Sequence, residues 1–218
     1  MYIYQIERDL LYQVIKKRAR WITGRILDVG GGSVHRYKGL FVKATKYVTV
    51  DIDSACRPDI VGDAINLPVG ENTYQGLICT QVLGDIFQPE NAIKEFFRVL
   101  KPGGTLLLSE GFLNEQHGEP VDYWRFTKLS FIKIAENNGF VVKFVETYGG
   151  LASVIAQMIT RYLIDSLHLY NHNIYGRIFS HLSKFFGTVA VFFDKNFLNN
   201  IAGDRFYLGI VLVAQKHD

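Results

Sequence analysis

The chain has 218 residues and a formal net charge of +3, with 48% hydrophobic and 21% charged residues. This composition is typical of a folded domain with a sizeable core, and it excludes disordered and fibrous chains. The mild charge and the lack of a basic block predict no nucleic-acid partner. Cys56 and Cys79 lie too far apart for a zinc motif, so we predict no metal site and a reducing, cytoplasmic environment.

The start of the chain predicts an amphipathic helix. Ile3, Ile6 and Val14 recur at helical spacing, with Glu7 and Lys16 among the charged residues between them. We interpret residues 1–22 as a helical cover packed on a sheet. The pattern at this end predicts no signal peptide, and without a run of 18 uncharged apolar residues we expect no membrane-spanning helix.

A strand followed by three glycines comes next. Residues 26–29 form an apolar run that contains Asp28 and leads into Gly30, Gly31 and Gly32. Glycine permits positive φ and lets a ligand approach the bare backbone. By itself such a cluster is also typical of an ordinary turn between a strand and a helix.

Two further acidic strand ends follow the glycines. Asp51 ends the β-rich run 47–51 and lies 23 residues after Asp28, near the spacing of about 20 expected for an acid that binds a ribose diol. The short strand 59–64 contains Asp63. Each aspartate alone would be an ordinary strand end, but together with the glycine turn they favour a ligand site.

The remaining pattern alternates helices and strands. Residues 77–80, 105–109, 140–142 and 206–214 predict four more strands, and helices are predicted from Pro89 to Leu100 and from Thr127 to Gly139. The run from Lys101 to Gly104 predicts a sharp helix end. We therefore predict an α/β fold: a doubly wound, Rossmann-like, mostly parallel seven-stranded sheet with flanking helices. Right-handed crossovers place the carboxyl ends of its strands, and the acids there, along one edge.

This series of motifs resembles the class I S-adenosylmethionine-dependent methyltransferases over residues 24–149 and again at the last strand. The motifs occur in that family's order: 27–32, 50–52, 62–64 with 67–68, 81–83 and 98–104. The resemblance implies S-adenosylmethionine as cofactor, with Asp51 accepting from the ribose hydroxyls and Asp63 from the adenine amino group. The implied cofactor-binding residues are Asp28, Gly30, Gly31, Gly32, Asp51, Ile52, Asp63, Ala64, Thr80 and Gln81.

A second, narrower resemblance concerns residues 117–127, which are similar to a segment of bacterial methyltransferases encoded with polysaccharide and glycan biosynthesis genes. For a hydroxyl nucleophile, His117 is the predicted general base and Asp85 the second candidate. Tyr123 is predicted to orient the acceptor or face the sulfonium. An alternative interpretation is structural: Asp122 and Arg125 pair to hold the loop.

Residues 150–205 lie outside these motifs and carry an apolar stripe and many aromatic side chains. Met158 and Tyr162 belong to the stripe, and Gln157 and Arg161 are expected on the opposite, polar face. We interpret this segment as a helical insertion before the last strand of a single 1–218 methyltransferase domain. It forms a substrate cap, a homodimer face, or a surface (150–200) in contact with the inner face of the membrane.

The predicted function is methyl transfer to a small-molecule or glycan-type acceptor, with oxygen as the expected target. Two alternatives stay open. One is a nicotinamide-dependent oxidoreductase, although His35 occupies the last glycine position of that fingerprint. The other is a non-catalytic S-adenosylmethionine-binding protein, because Val34 and Asp85 depart from the family pattern.

Overall fold

The computed structural model describes residues 2–32, 36–118, 120–198 and 205–217. Within them, the structure has five α-helices and one sheet of seven strands; helices and strands alternate from β4 to α4, whereas β1 to β4 follow one another without an α-helix between them. The helices are α1 (Ile6–Arg18), α2 (Pro89–Val99), α3 (Lys128–Glu136), α4 (Leu151–Ser166) and α5 (Asn173–Asn196). The strands are β1 (Gly24–Val29), β2 (Ala44–Asp51), β3 (Ile60–Val61), β4 (Tyr74–Thr80), β5 (Leu100–Gly111), β6 (Phe140–Tyr148) and β7 (Gly209–Lys216).

The strand order across the sheet is β3-β2-β1-β4-β5-β7-β6. The pairs β1·β2, β2·β3, β1·β4 and β4·β5 are all parallel. The chain leaves β1 toward β2 and β3 on one side, and then returns to place β4 on the other. The order therefore reverses between β1 and β4, and ligands in open α/β sheets bind at such a switch point. The predicted mostly parallel, seven-stranded, Rossmann-like fold is confirmed.

Burial of apolar side chains accounts for the central strands and for α2. Leu27, Leu77 and Leu107 are fully buried on the three central strands, as expected for parallel strands covered on both faces. The inward face of α2 carries Ala92, Ile93, Phe96 and Val99, all inaccessible to solvent. The helix begins at Pro89, where the missing N–H of proline costs nothing.

The helix end predicted at 101–104 is confirmed, because α2 ends at Val99. The strand predicted at 105–109 begins earlier, since residues 101–104 already belong to β5, which starts at Leu100. The register explains how a strand accommodates them: Leu100 pairs with Tyr74 and Thr105 with Gly76, so β5 bulges between the two pairs. Gly103 has a φ of +71° within the bulge, a conformation that glycine adopts without strain.

The chain divides into two compact units. The helical unit comprises Met1–Gln13, Phe112–His117 and Thr147–Gly209, and the sheet unit comprises Val14–Gly111, Gly118–Glu146 and Ile210–Asp218. The roles predicted for segments 1–22 and 150–205 stay predictions. Over the described part of the chain, no helix combines the length and the apolar character that crossing a membrane requires.

Much of the apolar stripe of α4 is exposed, while a polar residue opposite it is buried. Gln157 is 1% exposed and Ser153 is fully buried, whereas Ile159 and Tyr162 of the apolar stripe are 55% and 71% exposed. The N-terminus of α4 explains part of this arrangement, because the Asp194 carboxylate of α5 accepts hydrogen bonds from the N–H groups of Ala152 and Ser153 at 2.8 and 2.9 Å. The buried side of α4 therefore combines the polar Ser153 and Gln157 with the apolar Val154 and Ile164.

Candidate cofactor and methyl-transfer site

The glycine turn after β1 requires glycine for two reasons. Gly30 and Gly32 have φ values of +72° and +47°, in the left-handed region. At Gly30, an added Cβ would also lie 2.2 Å from the Cγ2 of Val82. At Gly31, it would lie 2.6 Å from a carboxylate oxygen of Asp28. The turn is therefore packed closely between the end of β4 and the Asp28 side chain.

The side chain of Asp28 packs against the glycine turn at Gly31. Its carboxylate is 4% exposed and accepts a hydrogen bond from the Tyr47 hydroxyl at 2.5 Å. Burial raises the pKa of Asp28 to about 7, although the Tyr47 hydrogen bond opposes the shift, and the Asp51 charge raises it further. The pKa of Tyr47 is raised as well, by burial and by the Asp28 carboxylate.

Asp51 is the last residue of β2, and Asp63 follows β3 by two residues. Asp51 accepts the N–H of Asp53 on Oδ1 at 3.0 Å, while its Oδ2 lies 3.6 Å from the position of a Cβ built on Gly32. Asp63 accepts the N–H of Ile65 on Oδ1 at 3.1 Å. These local hydrogen bonds hold each carboxylate in one orientation, so its other oxygen can accept from a ligand.

These elements surround a cavity of about 660 Å³ at the switch point between β1 and β4. That volume is within the range of about 300–1,000 Å³ typical of small-molecule sites. The lining residues are Val29, Gly30, Val50, Asp51, Ile52, Gly62, Asp63, Ala64, Ile65, Val82, Asp85, Ile86, Phe87, Gln88, Val121 and Tyr123.

The structure brings together half of the predicted cofactor-binding residues. Gly30, Asp51, Ile52, Asp63 and Ala64 line the cavity. The other five do not, namely Asp28, Gly31, Gly32, Thr80 and Gln81. Asp28 is directed beneath the turn and not toward the cavity. The direct contacts predicted for all ten residues remain predictions, and Val34 lies outside the described residues.

Two of the three predicted catalytic residues line the same cavity. Asp85 ends a short 3-10 turn, Leu83–Asp85, that follows β4. The ring of Tyr123 packs edge-on against Phe87, with 5.4 Å between the ring centroids. His117 belongs to the helical unit, where its Nδ1 lies 3.1 Å from the carbonyl oxygen of Glu115. The roles of Asp85, Tyr123 and His117 in catalysis stay predictions.

Backbone hydrogen bonds tie the loop that carries Tyr123 to the turn after β4. The carbonyl oxygen of Gly84 accepts the N–H groups of both Tyr123 and Trp124 at 3.0 Å. Arg125 forms a two-pronged ion pair with Asp122, whose side chain is 3% exposed. The predicted pairing of Asp122 with Arg125 is confirmed, and it holds this loop beside the cavity.

Glu110, which was not predicted from the sequence, holds the turn after β4 that carries Asp85. Its fully buried carboxylate accepts the N–H groups of Val82 and Leu83 on Oε1, at 2.9 and 2.6 Å. Burial raises the pKa of Glu110 to about 8, opposed by those N–H groups and reinforced by the charge of Asp85. An acid following the apolar run Leu106–Leu108 was the available signal, of the same kind as Asp28 and Asp51.

Replacing Gly30 with alanine is expected to lower cofactor affinity at least tenfold and to destabilise the fold by about 1–3 kcal/mol. The new Cβ would meet Val82 and would force an unfavourable positive φ. Calorimetric titration and urea unfolding would measure both effects. Gly39→Ala is the matched control, because an added Cβ there has no neighbour within 4 Å. Equal affinity and stability of the two variants would contradict the close packing of the turn.

Comparison with known proteins agrees with this geometry. Residues 27–108 match the family model of a methyltransferase domain. A demethylmenaquinone methyltransferase of Paenarthrobacter aurescens is 40% identical over 126 residues, covering 49% of this chain and 50% of that protein. A ubiquinone/menaquinone biosynthesis C-methyltransferase UbiE of Haemophilus ducreyi is 30% identical over 150 residues, covering 60% and 57%. The chain thus spans about half the length of the curated relatives it matches.

Solved structures share the fold at low sequence identity. The [4+2]-cyclase SpnF aligns with a TM-score of 0.63 and 20% identity, covering 97% of this chain and 81% of its own. A Haemonchus contortus phosphoethanolamine N-methyltransferase 2 in complex with S-adenosyl-L-methionine aligns with a TM-score of 0.59 and 18% identity, covering 95% and 52%. The presence of a cyclase among them illustrates that this fold alone does not define the reaction.

The cavity fits S-adenosylmethionine on its own chemistry. The bare backbone at Gly30 leaves room for close approach, Asp51 and Asp63 offer acceptors suited to ribose hydroxyls and an adenine amino group, and Ile52 and Ala64 offer apolar contact. Residues 27–108 therefore resemble a methyltransferase domain, and the geometry of the cavity agrees with S-adenosylmethionine as its ligand.

Proposed function

We propose that the chain transfers a methyl group from S-adenosylmethionine to a small-molecule acceptor. The observation that carries this proposal is the single cavity that Gly30, Asp51 and Asp63 share with Asp85 and Tyr123. A cofactor held by the first three would have its reactive end near side chains able to bind an acceptor. The family match supports methyl transfer over the nicotinamide-dependent alternative.

S-adenosylmethionine, when bound, supplies a methyl group already activated by a sulfonium. The protein must then hold the acceptor in line with that group, which can contribute several kcal/mol by proximity alone. Phe87 and Tyr123 form an aromatic wall of the cavity, and the backbone of the Tyr123 loop is held by Gly84. An aromatic wall of this kind can orient a flat acceptor against the faces and edges of its rings.

Asp85 is the residue of the sheet unit best suited to take a proton from the acceptor. It lines the cavity and is half-buried, and the turn that carries it is held by Glu110 through the N–H groups of Val82 and Leu83. Gly30, Asp51 and Asp63 would hold S-adenosylmethionine, which would supply the methyl group and keep the electron pair of the broken carbon–sulfur bond on sulfur. The Asp85 carboxylate would take the proton that the acceptor releases.

For the acceptor we propose an aromatic hydroxylated ring of the quinol type. The apolar side chains of Ile86, Phe87 and Val121 around the cavity support this class, as do the names of the relatives. The glycan-type acceptor and O-methylation expected from residues 117–127 receive no support from those relatives. Carbon and oxygen of a phenolic ring remain the two candidate targets, and product analysis distinguishes them.

Methyl transfer is tested in two stages with the full chain. Thermal-shift and calorimetric titrations with S-adenosylmethionine, S-adenosylhomocysteine and the nicotinamide dinucleotides should show binding of the first two only. Incubation with methyl-labelled cofactor should then label a demethylquinol analogue in preference to oligosaccharides. Binding of the nicotinamide dinucleotides alone would overturn the proposal, and cofactor binding without labelling of any acceptor would favour the non-catalytic alternative.

The base assignment is tested by Asp85→Asn, which keeps the shape of the side chain and removes its basicity. We expect kcat to fall by about 10²- to 10⁴-fold with little change in cofactor affinity, because general-base catalysis contributes that much. His117→Ala, assayed beside it, tests the other predicted base. If both variants keep full turnover, neither residue is the base.

A further inference from the structure

Helix α5 exposes an unusual number of large apolar side chains. Eight of them, and Phe197 directly after the helix, are about half exposed or more, with Ile174 at 73% and Phe185 at 62%. The nine are Ile174, Tyr175, Ile178, Leu182, Phe185, Phe186, Phe192, Phe193 and Phe197. A surface helix normally turns such residues inward, and contiguous exposed apolar surface on a protein marks an interaction site.

The packing of α5 explains why these side chains point outward. Its buried residues are all small, namely Gly176, Ser183, Gly187 and Ala190. A Cβ added at Gly187 would lie 3.1 Å from the ring of Tyr4, so there is no room for a larger side chain at that position. The Asp194 carboxylate also binds the N-terminus of α4. The orientation of the helix is thus set by close packing within the helical unit.

Positive charge runs along one edge of the exposed apolar face. Arg177, Lys184 and Lys195 are separated by seven and eleven residues, a spacing that places them on the same side of a helix. At about 100° per residue, they project roughly 60–180° away from the exposed apolar side chains. The one carboxylate within α5, Asp194, is directed to the N-terminus of α4. The face therefore combines aromatic residues with a basic edge.

We propose that this face of α5 binds the surface of an anionic phospholipid bilayer. Amphipathic helices that lie in the membrane interface pair aromatic and aliphatic side chains with lysine and arginine in this way. A second copy of the chain is a poorer occupant, because a two-fold contact between α5 helices would bring two basic edges together. The exposed stripe of α4, which includes Ile159 and Tyr162, adds apolar area to the same unit. This inference does not depend on the proposed reaction.

Co-sedimentation of the full chain with vesicles tests the inference. We expect binding to phosphatidylcholine vesicles that contain phosphatidylglycerol, and at least tenfold weaker binding to phosphatidylcholine alone. Neutralising the edge with Arg177→Gln, Lys184→Gln and Lys195→Gln should weaken binding by about 100-fold, since each basic residue near such a surface contributes roughly fivefold. Phe185→Ser with Phe186→Ser should weaken binding at least tenfold, through lost apolar contact.

The matched control neutralises three exposed lysines of the sheet unit, Lys43→Gln, Lys46→Gln and Lys94→Gln, and should bind as the unchanged chain does. Circular dichroism confirms that each variant is folded. Absence of binding to anionic vesicles at millimolar lipid, or equal loss in the control, would overturn the proposal. So would a dimer in sedimentation velocity that Phe185→Ser with Phe186→Ser dissociates, because the face would then be occupied by a second copy.

Discussion

Replacing Asp51 with alanine is expected to weaken binding of S-adenosylmethionine by about 10- to 100-fold. Hydrogen bonds to a charged group contribute roughly 1.5–3 kcal/mol, and each 1.4 kcal/mol corresponds to a tenfold change in affinity. Asp51 lines the cavity at the end of β2, and the N–H of Asp53 orients its carboxylate. The variant removes both acceptor oxygens from the position predicted for the ribose hydroxyls.

Calorimetric titration with S-adenosylmethionine and S-adenosylhomocysteine measures this loss directly, without requiring a known acceptor. Asp53→Asn is a suitable control, because Asp53 lies two residues away, does not line the cavity, and can keep its hydrogen bond to the N–H of Ala55 as an amide. Affinity unchanged by Asp51→Ala would exclude the ribose-binding role. Equal losses for the two variants would point to a disturbed β2 end and not to a lost ligand contact.

Removing the charge of Glu110 with Glu110→Gln is expected to flatten the dependence of stability on pH. The pKa of Glu110 is about 8 in the folded chain, well above its ordinary value of 4.5. The folded state therefore holds a proton that the unfolded state releases between about pH 4.5 and 8. Its contribution to stability is fully present below pH 4.5 and is lost as the pH rises to 8, with a slope of up to about 1.4 kcal/mol per pH unit.

Glutamine reproduces the protonated form of Glu110, because its Oε1 can still accept the N–H groups of Val82 and Leu83. Urea unfolding at several pH values should then show a shallower decline of the free energy of unfolding with pH for the variant. Unfolding is monitored by the fluorescence of Trp21 and Trp124, which both lie in the sheet unit. Asp28, with a pKa of about 7, adds a similar decline to both proteins and cancels in the comparison.

Glu110→Ala separates charge from hydrogen bonding. It leaves the buried N–H groups of Val82 and Leu83 without their acceptor, so we expect a loss of about 2–5 kcal/mol in stability at every pH. The surface variant Glu136→Gln should leave the pH dependence as it is in the unchanged chain. A slope for Glu110→Gln equal to that of the unchanged chain would show that Glu110 is ionised when folded.

Local sequence patterns predicted the structure correctly wherever a residue's environment depends mainly on its neighbours in sequence. The apolar runs around Leu27 and Leu77 predicted buried parallel strands, and the inward face of α2 was predicted from its helical spacing. The run from Lys101 to Gly104 correctly predicted the end of α2, because proline and glycine usually end a helix, but the early start of β5 was not predicted. Here, pairing of Leu100 with Tyr74 extends β5 through them, and Gly103 accommodates the bulge.

The residues of the site also divide into those that local patterns predicted and those that depend on long-range contacts. Gly30, Asp51 and Asp63 could be assigned to one sheet edge because parallel strands align their carboxyl ends. Glu110 and Phe87 were missed, since their importance depends on contacts with segments about 27 and 36 residues away in the sequence. Asp28 carries the same strand-end signature as Asp51, yet it lies beneath the turn, bound to Tyr47. No local pattern distinguishes those two orientations.

The sequence by itself determined the class of fold, the order of the strands along the chain and the edge where the glycines and acids gather, because these follow from short-range periodicity and the handedness of crossovers. Only the tertiary structure decided which acids face the cavity, which support it from beneath, and which side of α4 and α5 is exposed. Those outcomes depend on long-range packing. In α5, Tyr4 packs so close to Gly187 that a larger residue would not fit there. In α4, Gln157 is buried and Tyr162 is exposed, although hydrophobicity along the helix predicts the reverse.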